Sequence, residues 1–387
     1  MKTLQVRSPD SASREHTLPG LRVKAMAVVA LVAGVFVTGL GAGVAVRYLA
    51  KSGLTGTSVL GMLVLAAGIA LLTVAWIVFW RASGEWQRLW FIPVAVIALL
   101  AMSSFAQGAM LAYAPRTSLG SLTPAGLGLG YSDVTFPTSD GVQLSAWYLP
   151  STNQVAIITV PGAGSNRTAT LGQAAVLARH GYGVLMLDPR GQGRSSGHAM
   201  DAGWYGDRDL VAAVRYLQHR HDLDPTRIGV LGLSMGGEEA IGAAPADPAI
   251  RAVVAEGATH RTAADASGYL PGGPAGTIQR GLDRLTYGTA ALLSSAPVPG
   301  SLHSAIRRAS STRFLLIAGG RTVDEQAAAA YLRTAAPGRV RTWTVAGATH
   351  THALTASPQE WTTRVLAFFD RALRDTTDTH QPRRPGS

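Results

Sequence analysis

The chain has 387 residues, 47% of them hydrophobic and 15% charged, with 34 Lys and Arg against 23 Asp and Glu for a net charge of +11. So apolar a composition excludes an intrinsically disordered chain, and the lack of cysteine excludes a disulfide scaffold, a thiolate nucleophile and cysteine-held zinc or iron–sulfur clusters. The basic residues form no stripe with interleaved aromatics, so no nucleic-acid partner is expected.

The apolar residues are concentrated near the N-terminus. Ala25–Val46, Ser52–Trp80 and Leu89–Pro115 are uncharged runs of 22, 29 and 27 residues. About 20 apolar residues cross the hydrocarbon core of a bilayer. Three transmembrane helices are therefore predicted within 25–115, at about 25–48, 55–80 and 89–112, after a cytoplasmic segment 1–24. Trp80, Trp86 and Trp90 sit where interfacial aromatics belong. The first run is too long for a signal peptide and is followed by two more spans.

Loop charge sets the orientation. Lys2, Arg7, Arg14, Arg22, Lys24, Arg81 and Arg88 share one side, against Arg47, Lys51 and Arg116 on the other. The bias puts the N-terminus in the cytoplasm, and an odd number of spans then puts everything beyond Tyr113 outside the cell membrane. Gly39 and Gly43 form a small-xxx-small pair. Glycine and alanine are abundant here, so the pair is expected to reflect composition more than a packing face. The three uncharged runs offer no charged residue to mark a transport path.

From about 129 to 371 the pattern alternates between strand and helix. Tyr131–Phe136 and Val142–Tyr148 flank the turn Ser139-Asp140-Gly141 and read as a hairpin. Strands Val155–Val160, Gly183–Leu187, Ile228–Leu231, Arg251–Ala255, Phe314–Ile317 and Val340–Val345 follow. The helices between and after them are Ala169–Arg179, Asp207–His219, Met235–Ala244, Asp324–Thr334 and Gln359–Leu373. This alternation predicts an α/β domain with a mostly parallel sheet and helices on both faces. Ligands bind beyond the carboxyl ends of such strands. The polar residues 375–387 are expected to be a disordered tail.

Gly232-Leu233-Ser234-Met235-Gly236 follows one strand and opens a helix, the context in which Gly-x-Ser-x-Gly presents a nucleophilic hydroxyl on a tight turn. A serine hydroxyl needs a base. His350 and His352, between the last strand and the last helix, are the candidates. A metal held by this His-x-His pair is disfavoured, because no third ligand stands nearby. The base needs an acid. Asp324 leads by chain order, and Glu325 and Glu256 compete with it. Met235, next to the serine, and Ala163, in the turn Pro161-Gly162-Ala163-Gly164, are the candidate donors to an oxyanion. The loop Asp188–Gly197 reads as a structural, glycine-rich turn tied by Arg–Asp pairing. No metal or organic cofactor is expected.

These residues resemble the α/β-hydrolase superfamily, particularly serine hydrolases related to dienelactone hydrolases and monoacylglycerol lipases. The likeness covers residues 129–373 and rests on the turn at Ser234, the Pro161–Gly164 turn, the Asp188–Gly197 loop and the Gly347-Ala348-Thr349-His350-Thr351 segment. It implies an eight-stranded sheet and hydrolysis of an ester-like bond by Ser234, His350 and Asp324, through an acyl-enzyme. It also favours His350 over His352. Pro161 replaces the histidine usual before the glycine of the oxyanion turn, and the acid loop Gly319–Asp324 is altered. A cap insertion is expected at about 259–311. Ile278, Leu282 and Leu285 within it are expected to pack on the sheet, with a lipid-facing lid as the alternative. The expected partners are a membrane and a small acyl or lipid-like substrate. Two other readings use the same features: a catalytically silent hydrolase fold serving as a membrane binding or scaffold module, and a peptidase or acyltransferase with the same triad.

Overall fold

A computed structural model of the chain describes residues 17–197 and 201–373. The expected tail 375–387, and most of the N-terminal segment 1–24, lie outside the described residues. The chain divides into two compact units, Met1–Met110 and Leu111–Ser387.

The first unit is helical. Helices α1 (Thr17–Ser52) and α2 (Gly56–Ala82), the turn α3 (Glu85–Arg88) and helix α4 (Phe91–Ala112) carry it. Three stretches, Arg22–Ser52, Gly56–Ala82 and Glu85–Ala112, are long and apolar enough to cross a membrane. Thr55 caps α2: its hydroxyl accepts from the Ser58 N–H, while Ser58 Oγ accepts from the Thr55 N–H.

Glycine decides how these helices approach one another. A Cβ on Gly39 would lie 2.8 Å from the Met102 carbonyl oxygen, and one on Gly43 would lie 2.4 Å from that of Ala106. On the other side of α1, a Cβ on Gly41 would lie 2.3 Å from the Leu65 backbone nitrogen. The expectation that Gly39 and Gly43 reflect composition is therefore corrected. They let two backbones into contact, the arrangement that supplies dispersion energy where lipid gives no hydrophobic drive.

The second unit is built on one eight-stranded sheet in the order β1-β2-β4-β3-β5-β6-β7-β8. The strands are β1 (Ser132–Pro137), β2 (Gln143–Leu149), β3 (Ala156–Val160), β4 (Gly183–Leu187), β5 (Ile228–Leu233), β6 (Ile250–Glu256), β7 (Arg313–Gly319) and β8 (Val340–Val345). β1 pairs antiparallel with β2, and β2 antiparallel with β4; the other pairs are parallel. The central strands β3, β4 and β5 are buried along their whole length. Such strands are apolar on both faces because helices cover both. On one face the cluster includes Ile158, Val230, Leu210 and Ile241; on the other, Ile157, Leu231, Trp361 and Phe369.

The helices of this unit are α5 (Leu171–Arg179), α6 (Gly206–Gln218), α7 (Met235–Ala243), α8 (Ala263–Tyr269), α9 (Gly273–Leu293), α10 (Leu302–Arg308), α11 (Val323–Arg333), α12 (Ala353–Ala356) and α13 (Pro358–Leu373). Strand and helix positions agree with the sequence pattern to within two or three residues. Helices α8, α9 and α10 fill the stretch between β6 and β7.

The expected orientation of α9 is corrected. Its buried positions are Gly276, Thr286, Thr289 and Ala290, whereas Ile278, Leu285 and Leu292 are exposed and Leu282 is half-buried. The small and β-branched residues make the closer packing face.

The Asp188–Gly197 loop is held by ion pairs. Asp188 accepts from the buried Arg167 guanidinium at 2.7 Å, and Arg190 bridges Asp140 and Asp209, each at 2.6 Å. The Arg190 guanidinium holds the Asp140 carboxyl below the ordinary aspartate range.

Adding side-chain bulk at the α1–α2 contact tests the helix packing. Gly41→Val should cost about 1–3 kcal/mol and lower the Tm of the full chain in detergent by several degrees. Gly84→Val, at a glycine with open space around it, should leave Tm unchanged. Equal melting of both variants would refute the packing role.

Candidate active site

Sequence and sheet order bring the candidate residues to the carboxyl ends of β3, β5, β6, β7 and β8. Ser234 is the first residue after β5 and has φ 53° and ψ −122°. Few non-glycine residues hold positive φ without support. Here the support is backbone packing. A Cβ on Gly232 would meet the Gly236 carbonyl oxygen at 2.2 Å, and one on Gly236 would meet the Val160 carbonyl oxygen at 2.5 Å. Gly162 comes nearly as close on the open side, where a Cβ would be 3.2 Å from Ser234 Cβ. The Ser234 N–H donates to the Glu256 carbonyl at 2.7 Å, and the Ser234 carbonyl accepts from the Gly237 N–H at 2.8 Å. The turn thus fixes where the hydroxyl points, at the N-terminus of α7.

His350 stands opposite. The Ser234 Oγ–His350 Nε2 separation is 2.9 Å, and His350 Nδ1 lies 2.7 Å from Glu325 Oε1. A carboxylate can only accept, so Nδ1 carries the proton and Nε2 is free to accept from the Ser234 hydroxyl. The His350 side chain is 51% exposed and that of Glu325 is 1% exposed. Hydrogen bonding to Glu325 raises the His350 pKa above the usual 6.5, against the opposing effect of partial burial.

The acid differs from the expectation. Asp324 is exposed, while Glu325 is buried against His350. The reason is helical register. Asp324 and Glu325 both lie in the first turn of α11 and are adjacent, so their side chains leave the axis about 100° apart and only one faces the sheet. The Gly319 N–H, at the end of β7, donates to Glu325 Oε2 at 2.8 Å and fixes the carboxylate.

Glu256, the third candidate acid, serves as a strut. Its carboxylate accepts from the Ala353 N–H at 2.8 Å and from Trp361 Nε1 at 3.2 Å. Burial raises its pKa. The next residue, Gly257, has φ 72°, and a Cβ there would lie 3.0 Å from the His350 ring. Glu256 therefore holds the Ser234 turn through its backbone and the His350 loop through its side chain. His352, the rival base, is turned to the His350 carbonyl, to which its Nδ1–H donates at 2.6 Å.

A cleft of about 570 Å3 opens at Ser234 and His350. Ala163 and Gly162 line one wall; Thr351, His352 and Thr355 line the other. Gln173, on α5, also lines the cleft. No sequence signal marks it, because only the fold brings α5 beside the serine. Met235 is 6% exposed and follows Ser234 directly, so its backbone N–H belongs to the turn that presents the hydroxyl. Among the described residues, no group of three or more His, Cys, Asp or Glu side chains is placed to hold a metal ion.

Known proteins are similar to parts of this chain. Residues 151–297 match the family model described as serine aminopeptidase, S33. An uncharacterised protein of Mycobacterium tuberculosis (strain H37Rv) is 33% identical over 166 residues, covering 40% of this chain and 57% of that protein. The uncharacterised protein YfhR of Escherichia coli K12 is 31% identical over 175 residues, covering 43% of this chain and 59% of its own length. The chain thus spans less than two thirds of these curated relatives. Among solved structures, the esterase Pf2001 of Pyrococcus furiosus superposes with a TM-score of 0.55 and 27% identity, covering 67% of this chain and 98% of that one. Sheet order, serine turn and these matches agree on an α/β-hydrolase fold, within which residues 151–297 match the serine aminopeptidase S33 family model.

Proposed function

We propose that the chain is a membrane-anchored serine hydrolase that cleaves an acyl ester through Ser234, His350 and Glu325. The observation that carries this reading is the continuous line of hydrogen bonds from the Ser234 hydroxyl through His350 to Glu325, at 2.9 and 2.7 Å. The matched hydrolase family and the esterase neighbour support the same class.

In the first step the Ser234 O–H proton passes to His350 Nε2 as Oγ bonds to the acyl carbon. The carbonyl becomes an oxyanion, held by the backbone N–H groups of Met235 and Ala163. Removing one such donor costs about 3 kcal/mol of barrier in comparable enzymes. When the oxyanion collapses, the ester C–O bond breaks and His350 returns its proton to the leaving alkoxide. Water then gives a proton to His350 while its oxygen bonds to the acyl carbon. The Ser234 oxygen leaves, regains that proton, and the acid is released. Glu325 stabilises the imidazolium.

For the anchor, the three apolar stretches between Arg22 and Ala112 are the support. With the basic residues weighted to the N-terminal side, the hydrolase domain faces outward. A C-terminal alkaline phosphatase fusion in a bacterial host should be active and a C-terminal green fluorescent protein fusion dark; the reverse pattern would overturn the topology.

A fluorophosphonate probe tests the nucleophile. Wild type should label and Ser234→Ala should not. Failure of folded wild type to label would favour a silent scaffold.

The choice of acid gives a separate pair of outcomes. Glu325→Gln should lower kcat/KM by about 10^3- to 10^4-fold, and Asp324→Asn by less than about twofold. His350 must be neutral to accept the proton. Its raised pKa therefore places the acid limb of the wild-type pH–rate profile above 6.5, with activity falling as pH drops through it. Loss of the Glu325 charge should move that limb to lower pH. A larger loss in Asp324→Asn than in Glu325→Gln would reverse the assignment.

A further inference from the structure

We propose that Gln173 selects the substrate, and that the cleft takes a short, neutral ester carrying a hydroxyl or amide group. This inference rests on the serine-hydrolase reading above and narrows the acyl or lipid-like substrate expected from the sequence.

Gln173 is 6% exposed and lines the cleft that opens at Ser234. Among the described residues its side-chain amide makes no hydrogen bond within the protein. Other buried polar side chains of the site are paired: Glu256 accepts from Ala353 and Trp361, and Glu325 from His350 and Gly319. These amide atoms are not among the protein's sealed, unpaired polar atoms, so they meet solvent at the cleft, where a ligand's polar group can take the place of water.

The rest of the lining agrees. Ser165, Thr351, His352 and Thr355 add polar atoms, and the larger apolar contributions come from Leu233 and Leu354. A long acyl chain needs a continuous apolar wall. Here it would pass polar side chains and leave the Gln173 amide desolvated and unpaired. No lysine, arginine, aspartate or glutamate is among the described residues that line the cleft. The polar substituent is therefore neutral. An amide both donates and accepts, which suits a hydroxyl or a second amide equally.

A site that hydrogen-bonds a substrate group discriminates against the analogue lacking it. Two matched pairs test this in the full chain. The acyl arm compares 4-nitrophenyl 3-hydroxybutyrate with 4-nitrophenyl butyrate. The leaving-group arm compares 2-hydroxyethyl butyrate with propyl butyrate. In wild type, kcat/KM should favour the hydroxylated member of at least one pair by about tenfold or more. It should fall along 4-nitrophenyl butyrate, octanoate and laurate.

Gln173→Met keeps length and volume and removes the polar atoms. It should reduce the preference to about twofold or less in protein that still labels with the fluorophosphonate probe. Gln173→Leu carries the same comparison should the first variant not fold. Three outcomes would overturn the proposal: no preference in either pair, a preference that survives both substitutions, or activity that rises toward laurate. The first would mean that the amide meets solvent only. Absence of labelling in folded wild type would instead refute the serine-hydrolase reading, so the two failures are distinguishable.

Discussion

The site depends on a backbone constraint at Ser234. At φ 53° the chain cannot continue as strand, and the following residues turn directly into α7. The conformation is held because its surroundings leave no alternative. Gly236 rests on the Val160 carbonyl, Gly232 on Gly236, and the Ser234 N–H is taken by Glu256 from the neighbouring strand. Strain of this kind persists only where packing over-determines it. Its consequence is chemical. The hydroxyl is lifted above the sheet edge, beside the free N–H groups of a helix start, where negative charge is favoured.

The second feature is the way two glutamates, one ending β6 and one in the helix after β7, divide the work around His350. Glu325 follows β7, is almost fully buried, and places one carboxylate oxygen on the imidazole and the other on the backbone of Gly319. Glu256 ends β6 and does not touch the ring. It clamps Ala353 and Trp361, and so fixes the loop and helix that flank the histidine. Gly257, directly after it, admits the ring where any larger residue would collide. One carboxylate meets the ring and the other holds the segment that carries it.

The apolar helical unit shows the same use of missing side chains for another end. In water, helices associate because burial of apolar surface drives them together; in lipid that drive is absent. Close approach of backbones replaces it, and Gly39, Gly41 and Gly43 supply the room on two sides of α1.

Much of this was legible in the sequence. Three uncharged runs fixed the apolar helices, because crossing a bilayer demands a minimum length. Strand–helix alternation fixed the α/β class, and Gly232 to Gly236 marked the serine turn, because only glycine tolerates its contacts. Position after β8 marked both His350 and His352, and the family resemblance favoured His350. Tertiary structure alone decided the rest. Whether Asp324 or Glu325 meets His350 depends on which residue of the first turn of α11 faces the sheet, a matter of roughly 100° that composition does not encode. The outward stripe of Ile278, Leu285 and Leu292 depends on which face of α9 found neighbours. Gln173 carries no local signature, since its meaning comes from burial beside a serine sixty residues away in the chain. Local periodicity specifies elements and tight turns; the partners of a side chain are set by packing between segments distant in sequence.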